Sequence, residues 1–251
     1  MAQRVSPIEK KTVGLLGRAI RHYDLIEDGD RIAVAVSGGK DSLSLLYLLK
    51  ERLRWIPISY ELSAIHLDMG FEGGRPEIIE AFCRDLGVPF HFEQTDYGIK
   101  AHGPENRENP CFLCSWLRRK RLFELSRSLN VTKLALGHNK DDIIETLFLN
   151  MCYSGEMAAM LPKQPFFDGR LIVIRPLALL EQKQIKKFGL KMGFPEIVNP
   201  CPSSRRSSRR EIKTLLEGLY AANRKIKGNI FRAMSNVRSD YLLPPIPRRR
   251  H

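Results

Sequence analysis

The sequence predicts an α/β fold in which a parallel sheet is flanked by helices. Short apolar runs, rich in β-branched residues, recur along the chain, and segments with helical spacing of apolar residues separate most of them. Strands that alternate with helices in this way form right-handed crossovers and therefore a parallel sheet. The 251 residues, with 43% hydrophobic and 27% charged side chains, are enough for one such domain and a small addition to it.

The predicted elements follow this alternation in chain order. An amphipathic helix over residues 7–27 leads to a β-branched strand at 31–36, which Gly-Asp precedes and Ser-Gly-Gly follows. The other predicted strands are short apolar runs, at 62–67, 89–94, 133–136 and 171–174. The other predicted helices have apolar residues at helical spacing, at 41–54, 76–86, 141–153, 181–192 and 207–222. We therefore expect a helical lead-in (1–28), a Rossmann-like sheet domain (29–202) and a basic helical C-terminal region with a tail (203–251).

The positive charge of the chain is large and unevenly distributed. The formal net charge is +13, and residues 201–251 hold 13 Lys and Arg against 3 Asp and Glu. A second basic cluster occupies residues 118–121. Clusters of this kind are typical of proteins that bind nucleic acid. A solvated basic tail that serves only solubility is the alternative.

Hydropathy and cysteine content indicate the compartment. No run of about 18 apolar residues occurs, and the first residues lack the apolar segment of a secretion signal. We expect a cytoplasmic protein that does not associate with membranes. Five cysteines are too few for a disulfide scaffold, so in a reducing compartment grouped cysteines point to a metal or to catalysis.

A glycine-containing segment at residues 37–42, Ser-Gly-Gly-Lys-Asp-Ser, links the first strand to the next helix. Adjacent glycines let backbone N–H groups point inward, and the helix N-terminus adds partial positive charge, so the segment predicts a pyrophosphate-binding loop. Lys40 supplies a cation, whereas the carboxylate of Asp41 makes sense if Mg²⁺ bridges it to phosphate oxygens. The Walker pattern is absent. The residues expected to bind the nucleotide here are Ala35, Ser37, Gly38, Gly39, Lys40, Asp41 and Ser42.

Three cysteines form the second candidate site. Cys111 and Cys114 are separated by two residues, which allow a tight turn, and Cys201 is flanked by prolines. Three thiolates lack the fourth ligand of a closed zinc site, and thiolates also bind iron–sulfur clusters. From spacing alone, a metal site, a redox dithiol and two cysteines without a special role all remain open. Cys83 and Cys152 fall within apolar helical patterns, and we expect both in the core.

The glycine segment resembles the PP-loop of the N-type ATP pyrophosphatases, a superfamily with a HUP-like fold whose members transfer AMP to a substrate carbonyl oxygen and release pyrophosphate. A wider set of motifs, between about residues 15 and 240, closely resembles the tRNA 2-thiocytidine synthetase family. These motifs are Pro110-Cys111-Phe112-Leu113-Cys114, Leu117-Arg118-Arg119, Gly137-His138-Asn139-Lys140-Asp141-Asp142 with the residues up to 151, and Ile174-Arg175-Pro176-Leu177, followed by Cys201.

The resemblance implies a complete reaction. MgATP would bind at residues 37–42 and adenylate the C2 carbonyl of a cytidine in the tRNA anticodon loop, at position 32. Cys111, Cys114 and Cys201 would hold a [4Fe-4S] cluster whose fourth iron binds the delivered sulfur, so that the products are 2-thiocytidine, AMP and pyrophosphate. The implied partners are tRNA and a sulfur donor such as a cysteine desulfurase or sulfide. A homodimer is a further expectation.

The resemblance also assigns single residues. It puts Asp142 near the nucleotide and metal, Gly137 near the ribose or adenine, and His66 near the adenine. Arg118 would stabilise charge at the adenylated oxygen or bind an RNA phosphate. The catalytic set is then Lys40, Asp41, Arg118 and Asp142, whereas we expect Asp141 to serve mainly the start of its helix.

One departure and two alternatives qualify the resemblance. Serine follows the proline after Cys201, where the family often carries a second cysteine, and this disfavours a disulfide mechanism. A related tRNA 2-thiouridine synthetase is one alternative, although such enzymes usually carry further zinc-binding cysteine pairs. The other is a non-catalytic module that binds nucleotide or RNA and uses zinc structurally.

Overall fold

The computed structural model describes residues 6–198, 200–205 and 208–243, with only the backbone of residues 204 and 205. The helices are α1 (Pro7–His22), α2 (Lys40–Arg52), α3 (Pro76–Asp85), α4 (Tyr97–His102), α5 (Pro110–Ser128), α6 (Lys140–Leu149), α7 (Gln182–Lys191), α8 (Ser208–Ala222) and α9 (Ile226–Ala233). The strands are β1 (Asp30–Ala35), β2 (Tyr60–Asp68), β3 (Phe90–Gln94), β4 (Lys133–Leu136), β5 (Lys163–Phe166) and β6 (Leu171–Ile174).

The six strands form one sheet in the order β3-β2-β1-β4-β6-β5. β3, β2, β1, β4 and β6 are parallel to one another, as predicted, and β1 lies between β2 and β4. β5 pairs with β6 in antiparallel orientation, so the sheet is mixed at that edge. The sequence analysis missed β5, which has four residues including Pro165. A proline is tolerated there because the strand lies at the edge of the sheet.

The chain order of the strands reverses at β1 and β4, and this reversal positions the site. In open sheets of this kind ligands bind beyond the carboxyl ends of the strands at the reversal point. The segments that follow β1 and β4, residues 37–42 and 137–142, meet at this edge. We call them the glycine loop and the acidic loop.

Two apolar clusters hold the layers together. The larger one packs α1, α2 and α7 on one face of the sheet and includes Leu16, Leu46 and Phe188. The smaller one packs α5 on the other face through Leu122. A third cluster joins α6 to α8 through Ile144 and Leu216, which attaches the basic C-terminal region to the helix behind the acidic loop.

Several boundaries differ from the predictions. α1 ends at His22 rather than near 27, and α6 ends at Leu149 and continues as a π-helix, Asn150–Ser154. The sequence analysis missed α4, α5 and α9. In α5, charged and apolar residues alternate around the helix without a single apolar stripe, so the helical period gives no signal.

The two cysteines outside the candidate site have different surroundings. Cys83 is buried in α3, which confirms its predicted place in the core. The same prediction for Cys152 is wrong, because this residue is exposed. It lies on the π-helix, in which no residue is buried.

The division into units 1–28, 29–202 and 203–251 stays a prediction, and residues 244–251 of the basic tail lie outside the described part of the chain. Within that described part, no helix combines the length and the apolar character needed to cross a membrane.

Candidate active site

The glycine loop takes a conformation that requires its glycines. Gly38 has φ +82°, in the left-handed region, and a Cβ there would lie 3.2 Å from the side chain of Ile197. Gly39 is the N-cap of α2 and brings no side chain to cap it. The first N–H groups of α2 are therefore open to an anion rather than to a capping side chain.

Two serines hold the glycine loop closed. The backbone N–H of Ser37 donates to Oγ of Ser42 over 3.1 Å, and that hydroxyl donates to the carbonyl oxygen of Gly39 over 2.9 Å. Lys40 is mostly buried, and its Nζ lies 3.1 Å from a carboxylate oxygen of Glu196, whose side chain is 82% exposed. An exposed carboxylate is a weak partner, so a phosphate can replace it.

The acidic loop contacts the glycine loop directly. Asn139 is fully buried, accepts the N–H groups of Asp141 and Asp142, and donates from Nδ2 to Asp41 over 3.0 Å. A Cβ on Gly137 would lie 3.0 Å from the backbone nitrogen of Ser42, so a side chain there would push the two loops apart by a few tenths of an ångström. The sequence analysis missed Asn139. The sequence feature that could have identified Asn139 is its spacing to Asp142, which is that of a helix capping box.

Three carboxyl groups at this edge have raised pKa values, and burial is the largest cause for each. Burial and then the charge of Asp142 raise the pKa of Asp41 to about 6. Burial and Asp142 likewise raise the pKa of Glu145 to about 7, and burial raises that of Asp142. Arg209 of α8 lies 3.3 Å from Asp142 and 3.6 Å from Glu145. Carboxylates are common Mg²⁺ ligands, usually one or two of them together with substrate phosphates.

Asp141 has a different set of contacts from its neighbour. Its carboxylate pairs with Nζ of Lys227 over 2.7 Å and accepts the N–H of Gln182 over 2.9 Å. These contacts tie α6 to α7 and α9. They agree with the expected structural role of this residue.

His138 is held as a neutral imidazole. Nε of Arg175 donates to Nδ1 of His138 over 3.2 Å, so in the neutral ring the proton is on Nε2. Burial, and then the charges of Arg175, Arg209, Arg118 and Arg119, lower the pKa of His138 to about 3. The sequence analysis gave neither His138 nor Arg175 a role, although both lie in motifs that it quoted.

Cys111 and Cys114 lie in the first turns of α5, which corrects the predicted tight turn. Asn109 caps this helix by accepting the N–H of Cys111 over 2.9 Å. Cys111 is exposed, and Cys114 and Cys201 are partly buried. Burial and then Cys201 raise the pKa of both α5 thiols, so the three sulfurs lie close enough to interact.

Three cysteine thiols are a donor set that an iron–sulfur cluster can use. In the described residues no group of three His, Cys, Asp or Glu side chains is arranged to hold one metal ion. In an iron–sulfur cluster each thiolate binds a different iron, so the sulfurs stand farther apart than around one ion. Cysteine thiolates are the usual ligands of such clusters.

Arg118 interacts electrostatically with both sites, and His66 adjoins the glycine loop. Burial lowers the pKa of the half-buried Arg118, and the guanidinium acts electrostatically on Cys114, His66 and His138. Nδ1 of His66 lies 2.7 Å from the carbonyl oxygen of Val36, the residue before the glycine loop. The structure thus brings both sequence-predicted sites to one sheet edge.

The fold and the site define a nucleotide-binding α/β protein with a glycine loop at the strand reversal and a thiol group beside it. The family model of the PP-loop domain matches residues 12–216. Over 237 residues the chain is 40% identical to the tRNA-cytidine(32) 2-sulfurtransferase of Geobacter sulfurreducens, covering 93% of this chain and 92% of that protein. It is 42% identical over 246 residues to that of Geotalea daltonii, covering 97% and 98%. The chain belongs to the PP-loop family and, within it, to the family of these sulfurtransferases.

Two solved structures share the fold. The U34-tRNA thiolase NcsA from Methanococcus maripaludis, solved with its [4Fe-4S] cluster, has a TM-score of 0.75 and 25% identity and covers 91% of this chain and 78% of its own. The NH3-dependent NAD synthetase of Campylobacter jejuni has a TM-score of 0.51 and 14% identity, with 98% and 100% covered, and shares the fold alone. The fold class and the family resemblance are confirmed.

Proposed function

We propose that this chain catalyses ATP-dependent thiolation of tRNA, with cytidine 32 as the target and 2-thiocytidine, AMP and pyrophosphate as products. One observation carries the proposal: Arg118 acts electrostatically on both Cys114 and His138, so the thiols lie beside the acidic loop, which contacts the glycine loop through Asn139. A separate nucleotide module would not need thiols beside its phosphate loop. The names of the relatives, at about 40% identity over nearly the whole chain, support the same reaction.

The glycine loop would bind the phosphates of ATP through its own groups. The open N–H groups of α2 point toward the β- and γ-phosphates, and Lys40 exchanges the exposed Glu196 for phosphate oxygens. Mg²⁺ would be held by Asp41 and Asp142, two carboxylates that Asn139 holds together at the edge where the glycine loop lies. These charges stabilise the departure of pyrophosphate when the C2 carbonyl oxygen attacks the α-phosphorus.

The side chains beside the loops would receive the base. A cytidine in a loop is accessible once it is turned out of its stack, and the site needs it at the edge between the glycine loop and Cys114. His138 offers an N–H donor at Nε2 that does not titrate near neutral pH, because its pKa is about 3. Arg118, beside Cys114, is placed to balance the negative charge of the adenylated base.

The three thiols would hold the cluster. Cys111, Cys114 and Cys201 are the ligands we propose, and when bound, a [4Fe-4S] cluster supplies the sulfur that replaces AMP on the activated carbon. The solved thiolase that carries such a cluster supports this assignment. The sulfur donor, a cysteine desulfurase or sulfide, the tRNA partner and a homodimer belong to the same proposal, as does a cytoplasmic location.

Nucleoside mass spectrometry tests the function. tRNA from a strain that lacks the gene should lose 2-thiocytidine, and the wild-type gene should restore it, whereas Cys111→Ala should not. Unchanged 2-thiocytidine in the deletion strain would overturn the proposal, and loss of 2-thiouridine instead would move the target to uridine. Anaerobically purified protein should contain iron and labile sulfide. A colourless zinc protein would favour the structural module.

A further inference from the structure

The outward face of α5 carries exposed aromatic side chains next to cations. Phe112 and Trp116, one helical turn apart, are 61% and 50% exposed. Nζ of Lys120, a further turn along, lies 5.6 Å from the centre of the Trp116 ring. Arg119 is exposed beside them. We call these four residues the aromatic stripe.

The aromatic stripe lies outside the catalytic edge but next to it. At about 100° per residue, Trp116 is on the side of α5 opposite to Cys114, across a helix about 10–12 Å wide. The charge of Arg119 nevertheless lowers the pKa of both His138 and Arg175, so this end of the stripe is within electrostatic range of the site. An extended ligand with repeating units can therefore have one unit at the thiols and the next unit on the aromatic stripe.

The charges around the stripe favour a polyanion. Arg121, on the other side of α5, is neutralised by Glu93 and Glu124. Arg119 and Lys120 have no ion pair with any residue that the structure describes. A second copy of the chain docked on this same face would bring Arg119 and Lys120 of both copies together, which like-charge repulsion disfavours. An RNA strand instead neutralises them.

We propose that the aromatic stripe stacks unpaired bases of an RNA loop, next to the nucleotide that enters the catalytic edge. Aromatic rings bind bases through their faces, and cations beside them track the phosphates. Unpaired bases are the ones that present a free face, because a duplex buries both faces of each base. The proposal rests on the proposed function for the nature of the RNA, a tRNA anticodon loop, and assigns it a binding surface.

Binding measurements with two RNAs, one with unpaired bases and one without, distinguish base stacking from electrostatic attraction. The full-length protein with its iron content determined is titrated, by fluorescence anisotropy, with a labelled anticodon stem–loop and with a blunt duplex of equal length. We expect Trp116→Leu to weaken stem–loop binding by about tenfold and to leave duplex binding unchanged. Trp116→Tyr, which keeps an aromatic face, should retain most of the affinity. Arg119→Ala combined with Lys120→Ala should weaken both RNAs and lower the salt dependence.

The chain contains a matched control for these variants. Trp55 is 80% exposed and follows the C-terminal end of α2, at the opposite edge of the sheet from the loops. Trp55→Leu should bind both RNAs as the wild type does. Equal stem–loop affinity for Trp116→Leu and Trp116→Tyr would overturn the proposal. So would a change of oligomeric state in Trp116→Leu, measured by light scattering, without a loss of RNA affinity.

Fluorescence of the two tryptophans also reports directly on whether RNA contacts Trp116. Since the chain has 2 Trp, Trp55→Phe leaves Trp116 as the single reporter, and Trp116→Phe leaves Trp55. At equal iron content, the stem–loop should quench Trp116 fluorescence and not that of Trp55. Absence of quenching at Trp116 would contradict stacking. Neither measurement requires turnover, so loss of thiolation with intact quenching would count against the proposed function and not against the stripe.

Discussion

The nucleotide half and the thiol half of the site are built in different ways. The glycine and acidic loops are held by hydrogen bonds among buried groups, with Ser42 and Asn139 at the centre. On the thiol side, Cys111 is exposed at the start of a helix, and Asn109 fixes only its backbone. Hydrogen bonds of the fold therefore fix the nucleotide half, whereas we expect the thiol half to gain a fixed geometry only with its bound group.

The largest effect of this difference between the two halves is expected for a change at Cys111. Cys111→Ala should abolish thiolation and lower the bound iron, because a cluster ligand is lost, whereas adenylation measured as AMP formation should continue. The unfolding free energy should change by less than about 0.5 kcal/mol, since an exposed side chain stabilises little. The measurements are nucleoside mass spectrometry, iron analysis and denaturant unfolding.

Cys152 supplies the control for that variant. It is also exposed but lies on the π-helix, and it is not among the groups that shift the pKa of Cys111 or Cys114. Cys152→Ala should keep both thiolation and iron. If Cys111→Ala unfolds the protein, the thiol half contributes to the fold and the comparison fails.

Asp41 tests the nucleotide half. Asp41→Asn should lower kcat by about a hundredfold or more, because charge next to the leaving pyrophosphate is lost. The same variant should be more stable without ligands. The pKa of Asp41 is raised to about 6 in the folded state, so the folded wild type loses stability as pH rises from about 4 through 6. At pH 8 the gain in the variant should approach about 3 kcal/mol and should vanish near pH 4.

If Asp41→Asn were both more active and more stable than the wild type, the Asp41 carboxylate would destabilise the fold without contributing to catalysis. Urea unfolding of both proteins at pH 4 and pH 8, together with single-turnover AMP formation, distinguishes the two cases. Glu196→Gln is the matched charge change. Its carboxylate is exposed, so it should leave the unfolding free energy nearly unchanged.

The sequence predicted more of the nucleotide half than of the thiol half, and the physical reason is local. The glycine loop lies between a β-branched strand and a leucine-rich helix, so its neighbours define its shape. α5 has no apolar stripe, so the predicted structure around Cys111 and Cys114 was a turn instead of a helix. Partners that are distant in the chain, such as Arg175 for His138, leave no signal in a single sequence.

A single added methyl group at Gly137 tests the contact between the glycine loop and the acidic loop. Gly137→Ala would place Cβ 3.0 Å from the nitrogen of Ser42, so either loop must move. We expect a loss of about 2 kcal/mol in unfolding free energy and a raised KM for ATP. Gly14, inside α1 with nothing near its Cβ position, is the control: Gly14→Ala should stabilise by up to about 1 kcal/mol. An unchanged KM in Gly137→Ala would mean that the loops adjust independently.

His138 lies where the two halves meet, and its effect should appear only in acid. Its folded pKa of about 3 is below the ordinary value of about 6.5, so the unfolded chain binds the proton more tightly and stability is lost as pH falls below 6.5. His138→Gln keeps an oxygen that accepts from Arg175 and removes the titration. The wild type should lose about 2 kcal/mol more than the variant between pH 7.5 and pH 5. Parallel stability curves for the two proteins over this range would show that His138 is protonated in the folded state, and that the arginines around it do not set its charge.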